Sequence, residues 1–355
     1  MFEEPLTSQL ASKLFASIPH NDRISFFKKW ISKHPLGSLL AYDVTSFSTY
    51  VKGIVNGEFG YNRDGERLPQ INLGCFVSES NCLPVFYVTY PGSIVDKSHL
   101  SYMMAYNEEL GISNVGFVLD RGFCATANVQ DMNKNSYDFI IGVEKRHKTT
   151  RMAIDLSRDC IESIHNRIES GVFAFAIRGC FYGTKSTMHI YYDRSLADNQ
   201  VDGLFRSIEN EENLLRQMSV MTPMEAKRHR GYCLINLADD GSFTFKRDKD
   251  KMERAAKYCG FYCLLTNTAL DSSQILAKYR RKDVIEKSFD DLKNHISMKR
   301  MRTHKTDTTD GKLFCSFIAL IVASELDVNF KNFMNKKSIS KEGIIREMEK
   351  ICVDA

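Results

Sequence analysis

Residues 279–293 read YRRKDVIEKSFDDLK and place four chemically useful side chains on one side of a helix. At ~100° per helical residue, Tyr279, Lys282, Glu286 and Lys293 fall within about 60° of one another, beside an apolar stripe of Ile285, Phe289, Leu292 and Ile296. One face packs, and its neighbour presents a phenol, two ammonium groups and a carboxylate. Periodicity alone leaves this face equally open to a plainer account as solvated surface charge. The flanks favour a nucleic-acid backbone. From Asp271 to Lys305 there are ten Lys or Arg against five Asp or Glu, a surplus that suits phosphate.

A second stretch, NVGFVLDRGF at 114–123, raises a different problem. Val115, Phe117, Val118 and Leu119 predict a buried strand, and Asp120 ends it. An uncompensated carboxylate there is costly. Arg121 could neutralise it, or Asp120 could cap a helix beginning near Cys124.

The elements that must position these groups follow from the pattern. Leu10, Leu14, Phe15 and Ile18, then Ile24, Phe27, Trp30 and Ile31, predict two short helices broken near Pro19. Three strands come next, LLAYDVTSFS from Leu39, PQINLGCFV at 69–77 and CLPVFYVTY at 82–90, joined by a polar loop and the short turn SESN as an antiparallel meander. A helix at 96–110 leads into the Asp120 strand. Strand-strand-strand-helix-strand is the opening of an RNase H-like fold, with the Asp43 and Asp120 strands adjacent at its centre. A helix at about 124–133 and a strand at 137–143 complete the first part.

The expected class is therefore α/β, an RNase H-like mixed sheet flanked by helices and interrupted by a largely β insertion. The divisions are a helical lead-in at 1–38, a core at 39–144, an insertion at 145–258 with one charged helix at about 198–218, the rest of the core at 259–335, and a helical tail at 336–355.

Three stretches in this order resemble the DDE transposases of bacterial insertion sequences, the cut-and-paste group marked by Tyr-x2-Arg-x3-Glu-x6-Lys. Tyr279, Lys282, Glu286 and Lys293 keep every spacing, with Lys282 in place of Arg. YDVTS at 42–46 resembles the family's first-aspartate strand and LDRGF at 119–123 its second, while LLTN at 264–267 and MKRMRTH at 298–304 are also similar. The resemblance runs from residue 39 to about 325.

What it implies is specific. Asp43, Asp120 and Glu286 become the catalytic acids and the ligands of Mg2+ or Mn2+, as two ions, which would neutralise Asp120 at its strand end. Tyr279, Lys282, Lys293, Arg300 and Arg302 become DNA contacts. The implied reaction is metal-dependent cleavage at element ends and strand transfer into target DNA. The implied partners are double-stranded DNA and a second copy of the chain assembled on it, with no membrane. Only 38 residues precede Leu39, fewer than such transposases usually carry, so a shortened copy is expected. Two alternatives stay open: a silent remnant that binds DNA or intact transposase, and an RNase H-like nuclease without strand transfer.

The totals are compatible with this reading. A chain of 355 residues with 43% hydrophobic content fills a substantial core, and 48 basic against 44 acidic residues give only +4, so charge must act locally. FIALIVA at 317–323 falls short of the ~18 to 20 residues of a membrane span, and MFEEPLTSQL has no signal-peptide pattern. Ten scattered cysteines without metal-ligand spacing read as reduced, mostly buried thiols. The expected location is cytoplasmic and nucleoid-associated. EKRHKTTR at 144–151 and AKRHRGY at 226–232 are basic but equally suited to solvated loops, and His189 reads as a packed strand residue.

Overall fold

The structure is a computed structural model that describes residues 7–34, 36–51, 53–62, 65–229, 231–295, 300–337, 339–341 and 343–346. Contacts divide the chain into two compact units, one of Met1–Gly142, Tyr182–Ser186 and Thr266–Ala355, the other of Val143–Phe181 and Thr187–Leu265.

The first unit opens with α1 (Ser8–Ala16) and α2 (His20–Lys33), interrupted at Pro19 as the sequence predicts. Three strands follow, β1 (Leu39–Thr49), β2 (Gln70–Ser78) and β3 (Pro84–Pro91), then α3 (Asp96–Glu109), β4 (Gly116–Leu119), α4 (Thr126–Lys134) and β5 (Phe139–Val143). The strand order is β3-β2-β1-β4-β5. β1–β2 and β2–β3 are antiparallel, whereas β1–β4 and β4–β5 are parallel. That is the expected RNase H-like arrangement, with its two acid-bearing strands side by side. Long apolar residues on the sheet make the core, and Phe76 lies 4.4 Å from Phe86 and 4.6 Å from Tyr42 between ring centroids. α2 is fastened to this core by Phe27, whose ring meets Tyr87 edge-on at 5.6 Å, and by the Trp30 indole, which donates to the Pro84 carbonyl at 2.8 Å.

The second unit contains α5 (Lys148–Ile161), β6 (Arg167–Glu169), β7 (Val172–Phe181), β8 (Thr184–Asp193), α6 (Arg194–Gln217), α7 (Pro223–Arg228), β9 (Cys233–Leu237), β10 (Phe243–Arg247), α8 (Lys249–Ala256) and β11 (Phe261–Thr266). Its strands run in the order β11-β8-β7-β6, and β9 and β10 form a separate antiparallel hairpin. Leu215, Met221, Cys233 and Ile235 pack beneath that hairpin. The expectation of a largely β insertion needs correction, because α5 and α6 are longer than any strand here. The second half of EKRHKTTR, from Lys148, is the start of α5. Ala153, Ile154 and Ile161 make the buried face of α5, with Thr150 and Ser157 among them.

The chain returns to the first unit through α9 (Ser272–Arg280), α10 (Asp283–Asp290), a single π turn at Asp291–His295, the short β12 (Arg300–Met301) and α11 (Thr306–Lys337). β12 adds in parallel to the end of β1. α11 is long and apolar enough to cross a membrane by length and composition, yet Leu313, Phe314, Phe317, Leu320 and Ile321 are buried in the protein. Gly311 lets the helices meet closely, since a Cβ there would stand 1.9 Å from the Phe15 carbonyl oxygen of α1. Ile296, Met298, Lys299, Arg230 and most of 336–355 lie outside the described residues. Among the described cysteines none forms a disulfide, and only Cys75, Cys124, Cys233 and Cys263 are buried, fewer than expected.

Candidate active site

Two acids are placed by strand pairing. In the parallel β1–β4 register Tyr42 faces Leu119, so Asp43 and Asp120 each come one residue later, on neighbouring chains. Asp43 is the one residue within β1 that is not buried, and Asp120 follows four buried residues of β4 with the same partial exposure. One Asp43 carboxylate oxygen accepts the Val44 amide at 2.8 Å. A 3-10 turn, Arg121–Phe123, begins after Asp120, but the Asp120 side chain makes no capping hydrogen bond to it. Its carboxylate accepts instead from the Tyr279 hydroxyl at 3.3 Å.

The segment that bears Tyr279 and Glu286 is not the continuous helix that its periodicity predicts. α9 starts with a reciprocal cap between Asp271 and Gln274 and stops at Arg280. The amides of Lys282, Val284 and Ile285 then donate to carbonyls three residues back, at 3.0, 3.1 and 2.8 Å. This tight turn ends one helix and starts the next. Buried Glu79, just beyond β2, supplies a physical reason: it accepts from Lys278 at 3.0 Å and from Arg281 at 2.8 Å, pinning the end of α9. Lys282 consequently turns inward.

Lys282 is only 4% exposed. Its ammonium lies 3.6 Å from Asp43 Oδ2 and 3.2 Å from Glu286 Oε1. The sequence placed this side chain beside phosphate; here it faces carboxylates. Burial opposes its charge, but Asp43, Asp120 and Glu286 outweigh burial and hold the amine above the ordinary lysine range. Burial, with Asp120 adding to it, pushes the Tyr279 phenol up, so it remains a donor to Asp120. Gly142 of β5 is required below: a Cβ there would stand 2.7 Å from the Tyr279 hydroxyl and 3.0 Å from the Arg121 backbone nitrogen.

The structure therefore gathers Asp43, Asp120, Tyr279, Lys282 and Glu286. Arg300 lies apart from this knot. Arg300 pairs across β12 with Ser48, about 16 Å along β1 from Asp43, and its guanidinium donates to Glu66 at 2.6 and 3.0 Å while lying 5.5 Å from the Tyr50 ring centre. Arg302 is exposed, and Lys293 is half-buried in the π turn. Sequence reasoning missed Glu79 and Gly142. Glu79 lay in a four-residue turn with no periodicity to mark it, and Gly142 was one residue of an apolar strand.

Among the described residues, no three His, Cys, Asp or Glu side chains stand together as a ready metal-ligand set. Asp43 and Glu286 share the Lys282 ammonium instead. The donors are nevertheless all hard carboxylate oxygens, and they already converge on a positive charge, which is the chemistry a divalent cation of the Mg2+ type requires.

Residues 34–322 match the family of the transposase DDE domain. The chain belongs to that family. A search of curated proteins found no match for this DDE-domain chain. Among solved structures it is similar to the piggyBac transposase synaptic complex with hairpin DNA, at 12% identity and a TM-score of 0.39, covering 93% of this chain. It spans 60% of the length of that relative. It is also similar to the Mos1 transposase paired-end complex with left transposon end, at 12% identity and a TM-score of 0.21, over 39% of this chain and 44% of that one.

Proposed function

We propose that this DDE-domain chain is the catalytic part of a DNA transposase of a bacterial insertion sequence. In this reading it cuts phosphodiester bonds at element ends and joins the freed 3′ hydroxyls to target DNA. The observation that carries the reading is the pairing of Tyr42 with Leu119, which brings Asp43 and Asp120 to adjacent positions within reach of the Glu286 cluster. Asp43, Asp120 and Glu286 would hold Mg2+ or Mn2+. Bound there, such ions supply activation of the attacking oxygen and stabilisation of the leaving one.

The protein groups have separable tasks. Asp43 and Asp120 are fixed by strands, so their carboxylates are preorganised; Glu286 approaches on a helix with a side chain 63% exposed and can adjust. Tyr279 orients Asp120 through its hydroxyl. Lys293, Arg300 and Arg302 would receive the phosphates of the duplex outside the acid knot. Double-stranded DNA is the substrate, a second copy of the chain assembled on DNA is the partner, and the nucleoid of the cytoplasm is the place of action.

Asp120→Asn tests this directly. Mg2+-dependent cleavage of an end-containing duplex should fall by at least about 1,000-fold, with circular dichroism and melting close to wild type. Cleavage at the wild-type rate would place the chemistry elsewhere. Cleavage by the wild-type protein without any joined product would mark a nuclease instead.

A further inference from the structure

The three residues Lys278, Arg281 and Lys282 are close in sequence but differ in attachment. Glu79 holds the first two. Lys282 alone of these three reaches into the acid cluster, where Asp43 Oδ2 and Glu286 Oε1 are its partners. Those same carboxylates are ones that would hold a divalent ion. An ammonium and a metal cannot both use them at full strength.

We propose that Lys282 is a tethered counter-ion of the acid cluster, which leaves Asp43 and Glu286 when a divalent metal binds and then serves as a ligand for DNA phosphate. This rests on the reading of Asp43, Asp120 and Glu286 as metal ligands. Three features make the exchange feasible. Lys282 sits at the turn between α9 and α10, so its stem pivots at an element end. A lysine carries a compact charge on four flexible carbons and lacks the rigid fork with which arginine grips a carboxylate. Glu286, its closer partner, is 63% exposed, so the solvent side of the cluster gives the ammonium a way out.

The exchange has a thermodynamic corollary. Once released, the ammonium binds DNA better than it did while committed to carboxylates, so metal raises DNA affinity and DNA raises metal affinity by the same factor.

The experiment uses the whole chain. Amine acylation read by mass spectrometry should label Lys282 about tenfold faster at saturating Mn2+ than without it, with Lys278 as the unchanged internal standard. By calorimetry, Lys282→Met should bind Mn2+ about tenfold more tightly than wild type, while Lys282→Arg should gain nothing. Added end-containing duplex should tighten Mn2+ binding in the wild type and not in Lys282→Met. Unchanged Lys282 labelling at saturating Mn2+ overturns the proposal, and that measurement needs no variant to fold. So does a folded Lys282→Met with wild-type Mn2+ affinity. Asp120→Asn separates the two levels of inference. If it loses Mn2+ binding while Lys282→Met is unchanged, only the counter-ion idea fails; if it binds Mn2+ like wild type, the metal site fails as well.

Discussion

Two carboxylate–cation arrangements in this protein are built on opposite terms. In the second unit Arg247 grips Glu212 with two parallel hydrogen bonds, 2.8 and 2.9 Å long, and joins β10 to α6. Both oxygens of one carboxylate are matched by one planar fork, an arrangement with strong geometric preference and no reason to rearrange. In the first unit one ammonium is divided between Asp43 and Glu286 at 3.6 and 3.2 Å, with Asp120 also acting on it electrostatically. Carboxylates outnumber the cation there. The first design fixes two elements in place, whereas the second leaves negative charge only partly neutralised.

Substitutions at the two cations give the sharpest contrast. Lys282→Met should cost about 2 kcal/mol in buffer free of divalent ions, less than the full penalty for breaking a buried pair because Glu286 is largely solvated. Saturating Mn2+ should restore most of it, as read by thermal melting. Arg247→Met should destabilise less, since that pair is partly open to water, and the loss should be the same with and without Mn2+. Recovery of Arg247→Met by metal would break the comparison. The smallest effect is expected for Tyr279→Phe, about 0.5 kcal/mol for loss of a long hydrogen bond to Asp120. The contrast is sharpened if that variant also weakens Mn2+ binding slightly, because Asp120 would lose its orienting partner.

Much of the first unit was legible in the sequence because its strands are apolar runs bounded by turns. LLAYDVTSFS became β1 and CLPVFYVTY became β3 within two residues, and adjacency of the Asp43 and Asp120 strands followed from their order. The helix face at 279–293 was legible only in part. Angular spacing assumes a continuous helix, and it carries no information about Glu79, which is remote in sequence yet stops α9 and rotates Lys282 toward the acids. Spacing put Tyr279, Lys282 and Glu286 together, as the fold does, but could not show that Lys282 faces Asp43. α5 was legible but passed over, since Ala153, Ile154 and Ile161 recur on its buried face at helical spacing.

The contact between Gly311 and Phe15 has a consequence for how the chain is made. α1 has no buried residue of its own, and its Leu10 and Leu14 are about half-exposed even when folded. The α11 surface it leans on is synthesised only after every strand from β1 to β12. During that interval α1 can hold little structure, as an isolated helix of this length is marginal in water. The Gly311 notch is therefore a late fastening in biosynthesis. Domains generally become committed as they emerge, yet α1 must wait for α11 before it can settle.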